Sequence, residues 1–157
     1  MHKDELEKIL PKENIKYNEP MYKHTSFKTG GLADYYIIAK TTEQVQKVID
    51  FSKQNNILLY VVGNCSNLLV LDEGFRGIIL KIEIENIDIN EQKEHVTITI
   101  GAGVKIMALA QILLQNEITG FEEFSGIPRH YRWSKCNECR CIWKRTKRHF
   151  NRNKMLE

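Results

Sequence analysis

The segment Gly63 to Asn67 reads Gly-Asn-Cys-Ser-Asn and directly follows an apolar run, Ile57 to Val62. Such a loop presents backbone N–H groups, amides and hydroxyls, and these donors suit the oxygens of a diphosphate. Glycine permits the close backbone approach that phosphate binding requires. Neither Gly-Lys-Ser/Thr nor Gly-x-Gly-x-x-Gly occurs here, so the loop is not one of the common nucleotide-binding motifs. A plain tight turn between two strands is the alternative interpretation.

Two further glycine-bearing segments could contribute to the same site. Gly101-Ala102-Gly103 follows an alternating stretch, and Ser125-Gly126-Ile127-Pro128 follows a predicted helix and loop. Each segment alone is typical of a turn. Three glycine-bearing loops in one chain favour a ligand crevice.

The elements that would position these loops follow from the hydrophobic pattern. Ala33 to Ala39 and Ile57 to Val62 are predicted strands, and the helix between them is capped by Thr41 or Thr42. Because Ile57 to Val62 is continuously apolar, we expect this strand to be buried on both faces. Further predictions are an opening helix in residues 1–16, a loop over 17–31, strands at 77–82, 84–89 and 95–100, and a helix from Val104 to Gln115.

Composition bounds the class of protein and shows a break in the chain. The chain has 157 residues, 42% hydrophobic and 27% charged, as expected for a soluble globular domain. No apolar run reaches the roughly 20 residues of a membrane span and no export signal opens the chain, so we expect a cytoplasmic protein. Residues 1–128 hold 13 Lys and Arg against 18 Asp and Glu, whereas residues 129–157 hold 10 against 2. The net charge of +3 therefore combines a balance of −5 with one of +8.

Several motifs together resemble the UDP-N-acetylenolpyruvoylglucosamine reductases, also called UDP-N-acetylmuramate dehydrogenases. Thr25 to Asp34 (TSFKTGGLAD) resembles the opening motif of that family, and Gly63 to Val70 with Asp72 to Gly77 resembles its flavin diphosphate loop. Ser125 to Pro128 resembles the start of a longer flavin-binding motif. The resemblance runs from about Tyr17 to Pro128, in order and with the family's spacing.

The resemblance implies an α+β fold with mixed sheets and flanking helices, a partial FAD-binding domain of the vanillyl-alcohol-oxidase/PCMH type. It implies a flavoenzyme of peptidoglycan synthesis that reduces the enolpyruvyl group of a UDP-sugar with NADPH. We expect a monomer without membrane insertion, specific nucleic-acid binding or a metal. The implied FAD-binding residues are Val62, Gly63, Asn64, Cys65, Ser66, Asn67, Leu68, Gly101, Gly103, Ser125, Gly126, Ile127 and Pro128.

The chain departs from the family pattern at two places. Cys65 stands where the family usually has glycine, so its Cβ could crowd the diphosphate. After Pro128 the family motif Gly-Thr-Ile-Gly-Gly-Ala is replaced by Arg129 to Ser134, RHYRWS. The codons AGG CAC TAT AGG TGG AGC encode RHYRWS, and read one base later they give that motif.

We therefore interpret residues 129–157 as a frameshifted, non-native tail, residues 17–128 as an incomplete FAD-binding domain and residues 1–16 as a helical arm. The family's catalytic serine, glutamate and substrate-binding arginine lie beyond this point, so no catalytic residue is assigned. The expectation for this chain is weak or no FAD binding and no reductase activity.

The tail also supports a different class of function. Cys136, Cys139 and Cys141 with His130 or His149 could hold one zinc ion, although a second Cys-x-x-Cys pair is absent. The basic residues interleave with Trp133, Trp143 and Phe150, which would permit nucleic-acid binding. Elsewhere His24 and His95 stand alone and are expected to be structural or exposed.

Overall fold

The computed structural model describes residues 3–91 and 96–119, and the chain divides into two compact units between Ile84 and Glu85. Within these ranges we number three helices, α1 to α3, and six strands, β1 to β6, in chain order. The first unit contains α1 (Lys3–Ile9), β1 (Ile15–Pro20), β2 (Leu32–Ala39), α2 (Thr42–Gln54), β3 (Leu59–Val62) and β4 (Phe75–Ile82), with short 3-10 turns at Lys12–Asn14 and Met21–Lys23. The second unit contains β5 (Ile87–Glu91), β6 (Val96–Ile100) and α3 (Ile106–Gln115).

A four-stranded mixed sheet organises the first unit, in the order β1-β2-β4-β3. β1 is antiparallel to β2, whereas β2 and β3 both run parallel to β4. The predicted β-α-β unit is therefore present as β2-α2-β3, with β4 inserted between its two strands. Since β3 and β4 are parallel, their carboxyl ends lie at the same edge of the sheet.

Helix α2 forms where the sequence predicts it, and its cap can be identified. The Thr41 hydroxyl accepts a hydrogen bond from the backbone N–H of Gln44 at 3.2 Å, which satisfies one of the free donors at the start of the helix. Val48 and Phe51 are buried on one face of α2. The helix ends at Asn55, and Asn56 has a positive φ of 51°.

The predicted loop over residues 17–31 is wrong in its first part, because Ile15–Pro20 forms strand β1. The pairing between β1 and β2 skips Asn18, which has a positive φ of 49°. Only Ile15 of this strand is buried. A largely polar strand lacks the alternation of apolar and polar residues by which strands are recognised in a sequence.

The expectation that Ile57 to Val62 is buried on both faces is also wrong. Leu58 is 69% exposed and Tyr60 is 44% exposed. Among the described residues, β3 pairs only with β4 and so lies at the end of the sheet. An apolar run of strand length has two explanations, full burial and an exposed apolar edge, and the sequence does not separate them.

The second unit has its own small core. β5 and β6 form an antiparallel hairpin, in register from Ile87 with Ile100 to Glu91 with Val96. Six buried apolar residues of this unit form one cluster: Val96, Val104, Ile106, Leu109, Leu113 and Ile118. Among the described residues of the whole chain, no helix is long and apolar enough to cross a membrane.

Candidate functional site

Strand β3 delivers the Gly63 to Asn67 loop to the carboxyl edge of the sheet. Val62, the last residue of β3, is buried and pairs in register with Lys81 of β4. In open sheets with parallel strands, ligands bind at this edge. The structure thus places the loop where a ligand site is expected.

The polar groups of the loop are available to a ligand. Asn64 and Asn67 are exposed and Ser66 is half-buried. Within the described ranges, the backbone N–H groups of residues 64–67 donate no hydrogen bond to another residue. Neutral donors of this kind suit the oxygens of a phosphate or diphosphate.

Cys65 is held in the protein interior rather than presented with its polar neighbours. Its side chain lies in a buried cluster with Met21, Tyr36 and Ile79, and the residue is 8% exposed. Burial raises the pKa of the Cys65 thiol, and the charge of Lys81 offsets part of the rise. Because thiolates are the reactive form of cysteine, a buried thiol with a raised pKa is a poor nucleophile.

The backbone at Cys65 explains why glycine suits this position. Its φ is +50°, in the left-handed region that favours glycine. The Cβ is accommodated because the side chain packs into the core cluster. Cysteine at this position therefore does not have to crowd the diphosphate.

The segment Thr25 to Asp34 packs directly against the turn at Asp72 to Gly77. The N–H of Gly31 donates to the Leu71 carbonyl at 2.9 Å, and a Cβ on Gly31 would lie 2.0 Å from the carbonyl oxygen of Asp72. A Cβ on Gly74 would likewise lie 2.0 Å from the Leu32 carbonyl oxygen. Both glycines are needed because two backbones approach more closely than any side chain permits.

An arginine closes the same contact. Nη1 of Arg76 lies 2.7 Å from Oδ1 of Asp34, and its Nη2 donates to the Leu32 carbonyl at 2.9 Å. The segment also reaches the loop, since the N–H of Ser26 donates to the Cys65 carbonyl at 3.4 Å. The motifs that the sequence shows as separate stretches thus form one framework around the loop.

Known proteins match this framework. Residues 33–129, well over half of the chain, match the family model described as an FAD binding domain. The chain belongs to this FAD-binding domain family.

Individual relatives of this FAD-binding domain are reductases. This chain is 42% identical over 126 residues to the UDP-N-acetylenolpyruvoylglucosamine reductase of Lachnoclostridium phytofermentans. The match covers 79% of this chain and 41% of the relative. The chain thus spans about two fifths of the length of the curated relatives that it matches.

Solved structures show the same fold. The UDP-N-acetylenolpyruvylglucosamine reductase of Thermus caldophilus is 26% identical, with a TM-score of 0.53, covering 71% of this chain and 38% of that one. Two others share the fold alone. An alkyldihydroxyacetonephosphate synthase is 15% identical, with a TM-score of 0.60, and the match covers 83% of this chain and 30% of the synthase. A p-cresol methylhydroxylase is 17% identical, with a TM-score of 0.51, and the match covers 78% of this chain and 27% of the methylhydroxylase.

These matches confirm the resemblance to the UDP-N-acetylenolpyruvoylglucosamine reductases, the α+β fold of the PCMH type and FAD as the cofactor of the family. The residues of the loop fit the cofactor, since the N–H groups of residues 64–67, which donate to no described residue, suit its diphosphate. The assignment of individual FAD-binding residues stays a prediction.

The other predicted FAD-binding residues are not all in the described ranges. Gly101 and Gly103 are buried in the second unit, where the N–H of Gly101 donates to the Asn86 carbonyl at 2.8 Å. Ser125, Gly126, Ile127 and Pro128 lie outside the described residues, as do His95 and the tail with its three cysteines. Among the described residues, no cluster of ligating side chains could hold a metal ion.

His24 is structural, as the sequence predicts. Its ring stacks on Tyr36 with centroids 4.1 Å apart, and its Nε2 lies 2.8 Å from Oε1 of Glu19. Burial opposes ionisation of Glu19, but the hydrogen bond with His24 and the nearby Lys16 outweigh it and keep the pKa of the carboxyl below its usual value. The ring of His24 thus lies against Tyr36, a member of the cluster that contains Cys65.

Lys81 lies next to the loop, and the sequence did not single it out. It is the one basic residue in the isoleucine-rich stretch from Ile78 to Ile89, which the residue pattern predicts to be sheet core. The register with Val62, which places it beside the loop, depends on the order of the strands. The charge of Lys81 was the signal in the sequence. Because lysine is almost never fully buried without a partner, a lysine within a predicted core strand indicates a partner or a ligand nearby.

Proposed function

We propose that this chain is the FAD-binding part of an NADPH-dependent reductase that converts UDP-N-acetylenolpyruvoylglucosamine to UDP-N-acetylmuramate in peptidoglycan synthesis. The observation that carries the proposal is the 42% identity to a reductase of this name over 79% of the chain. That identity is well above what a shared fold alone requires, since fold neighbours here are 15% to 17% identical.

The loop is proposed to hold the diphosphate of FAD through residues 62–68. The N–H groups of residues 64–67 and the side chains of Asn64, Ser66 and Asn67 supply neutral donors. Gly101, Gly103 and residues 125–128 are proposed as further FAD contacts, on the family resemblance alone.

The chemistry belongs to the whole enzyme. Bound flavin supplies the hydride chemistry between NADPH and the enolpyruvyl group. UDP-sugar binding and catalysis are proposed for segments that correspond to the remaining three fifths of the relatives. We propose a cytoplasmic monomer and weak FAD binding without reductase activity for the present sequence.

The change of character after Pro128 fits a change of reading frame. The family match ends at residue 129, and the charge balance reverses at the same point. We propose that residues 17–128 form the FAD-binding domain, with residues 1–16 as an N-terminal arm in which Lys3–Ile9 is helical, and residues 129–157 as a non-native tail. The gene sequence tests the last point, because codons for residues 129–134 that do not give the flavin motif one base later exclude a frameshift.

The decisive experiment for the function is a titration of the purified chain with FAD, followed by flavin absorbance and fluorescence. We expect saturable binding in the micromolar range or weaker, and no NADPH oxidation when the UDP-sugar is added. Stoichiometric zinc together with no flavin binding at any concentration would contradict the proposal and favour the tail as the functional part.

A further inference from the structure

Lys81 lies at the sheet edge from which the FAD loop starts. It is the register partner of Val62 on one side and of Ile38 on the other. Paired residues of neighbouring strands point to the same face of a sheet. Val62 belongs to the buried cluster that contains Cys65, and Ile38 packs against this cluster. Lys81 therefore lies on the face of the sheet that carries the cluster, two residues after Ile79 in β4.

The ammonium of Lys81 has one carboxylate partner among the described residues. Its Nζ lies 2.5 Å from Oε1 of Glu83, and the two side chains are 24% and 28% exposed. The backbone of Glu83 is fixed by a hydrogen bond from its N–H to the Ala39 carbonyl at 2.7 Å. Because lysine carries three donors, Nζ can bind Glu83 and still donate to a second anion.

The loop itself supplies no positive charge. Residues 62–75 contain no Lys or Arg, and they contain the acidic Asp72 and Glu73. A diphosphate held only by neutral donors keeps its full negative charge in a partly buried site. A cation on the adjoining strand offsets that cost through charge-assisted hydrogen bonds.

We infer that Lys81 is a binding residue for the diphosphate of FAD, and that Glu83 holds the lysine at the loop and competes with the phosphate for it. The inference rests on the proposed function of the loop. It assigns opposite effects to two adjacent partners. Removing Lys81 weakens the binding of the cofactor, whereas neutralising Glu83 strengthens it.

The test is FAD affinity of the full chain, measured by calorimetry and by flavin fluorescence. Lys81→Met is expected to weaken binding about tenfold, and Lys81→Arg to retain most of the affinity because it keeps the charge. Glu83→Gln is expected to tighten binding severalfold. ADP, which carries a diphosphate without the flavin, is expected to show the same order of variants.

Lys53→Met is the matched control. Lys53 is exposed in the last turn of α2, which leads to the amino end of β3 and therefore to the opposite edge of the sheet from the loop. The Lys53→Met substitution removes one positive charge, as Lys81→Met does, and is expected to leave the affinity for FAD unchanged. Thermal unfolding of every variant separates loss of binding from loss of the fold.

The outcomes separate the two proposals. If the wild-type chain binds neither FAD nor ADP, both the function of the loop and the role of Lys81 are wrong. If the wild type binds and Lys81→Met matches Lys53→Met, only the role of Lys81 is wrong. If Lys81→Met and Glu83→Gln weaken binding and lower the melting temperature together, the pair is a structural ion pair and the inference fails.

Discussion

Cys65 combines an unfavourable backbone conformation with a favourable side-chain environment. A non-glycine residue at a φ of +50° costs on the order of 1 kcal/mol. Burial of the thiol side chain against Met21 and Tyr36 returns a similar amount. The loop therefore keeps its conformation although the residue is not glycine.

The first prediction concerns the branching of this side chain. Cys65→Val is expected to lower the free energy of unfolding by about 2 kcal/mol, because a β-branched residue is strongly disfavoured in the left-handed region. Cys65→Ala, the matched control, keeps the same backbone requirement and is expected to lose about 1 kcal/mol of packing. Urea unfolding measures both. Equal stability of Cys65→Val and wild type would show that the loop does not hold this backbone conformation.

The second prediction concerns the carboxyl of Glu19. Its folded pKa is lowered, so it contributes stability above the unfolded pKa of about 4.3 and loses it as the pH falls through the folded pKa. Wild type should therefore lose more stability than Glu19→Gln between about pH 5 and pH 3. Glu13→Gln, at an exposed position, is the control and should follow the wild type. A parallel acid profile for wild type and Glu19→Gln would contradict the role of the His24 pair.

At the scale of elements, local signals determine some parts of the framework and not others. Helix α2 follows from Thr41 and a regular apolar stripe, because its cap and its buried face lie in one stretch of chain. Strand β1 does not follow from local signals, because its polar residues pair with residues of β2 that lie further along the chain, from Leu32 to Ile37. A strand is defined by pairing, which a local pattern indicates only when one face is clearly apolar.

The third prediction tests the close approach of the two motifs. Gly31→Ala is expected to destabilise the protein by about 3 kcal/mol or more, because its Cβ would overlap the backbone of Asp72. Thr29→Ala, at an exposed position two residues earlier, is the control and should change stability by less than about 0.5 kcal/mol. Chemical denaturation gives both values. A Gly31→Ala variant of wild-type stability would show that the segment and the turn do not pack in this way.

At the scale of the whole molecule, the formal charge is a sum of two different parts. The first 128 residues carry a balance of −5 and contain most of the family match, whereas the last 29 carry +8. A charge of that density binds polyanions without sequence preference. Such binding would be a property of the tail and not of the FAD-binding domain.

The fourth prediction separates these parts. Deletion of residues 129–157 should abolish the binding of the protein to heparin and to DNA, and it should leave the melting temperature and the FAD affinity unchanged. In the full chain, the affinity for DNA should fall steeply as salt rises, because counterion release drives the interaction. Loss of folding or of FAD affinity in the shortened protein would show that the tail is part of the domain.

From the sequence by itself, residue types and spacing indicated a loop that suits a diphosphate, and the resemblance of its motifs to a known family indicated the class of protein and the cofactor. Both kinds of signal lie in short stretches such as Gly-Asn-Cys-Ser-Asn after an apolar run, and spacing along the chain is a local property. The tertiary structure decided that Cys65 faces the core, that Gly31 meets Asp72 and that Lys81 lies beside the loop. These contacts join residues that are distant in the chain, so they depend on strand order and register, which come from the burial of whole sheet faces.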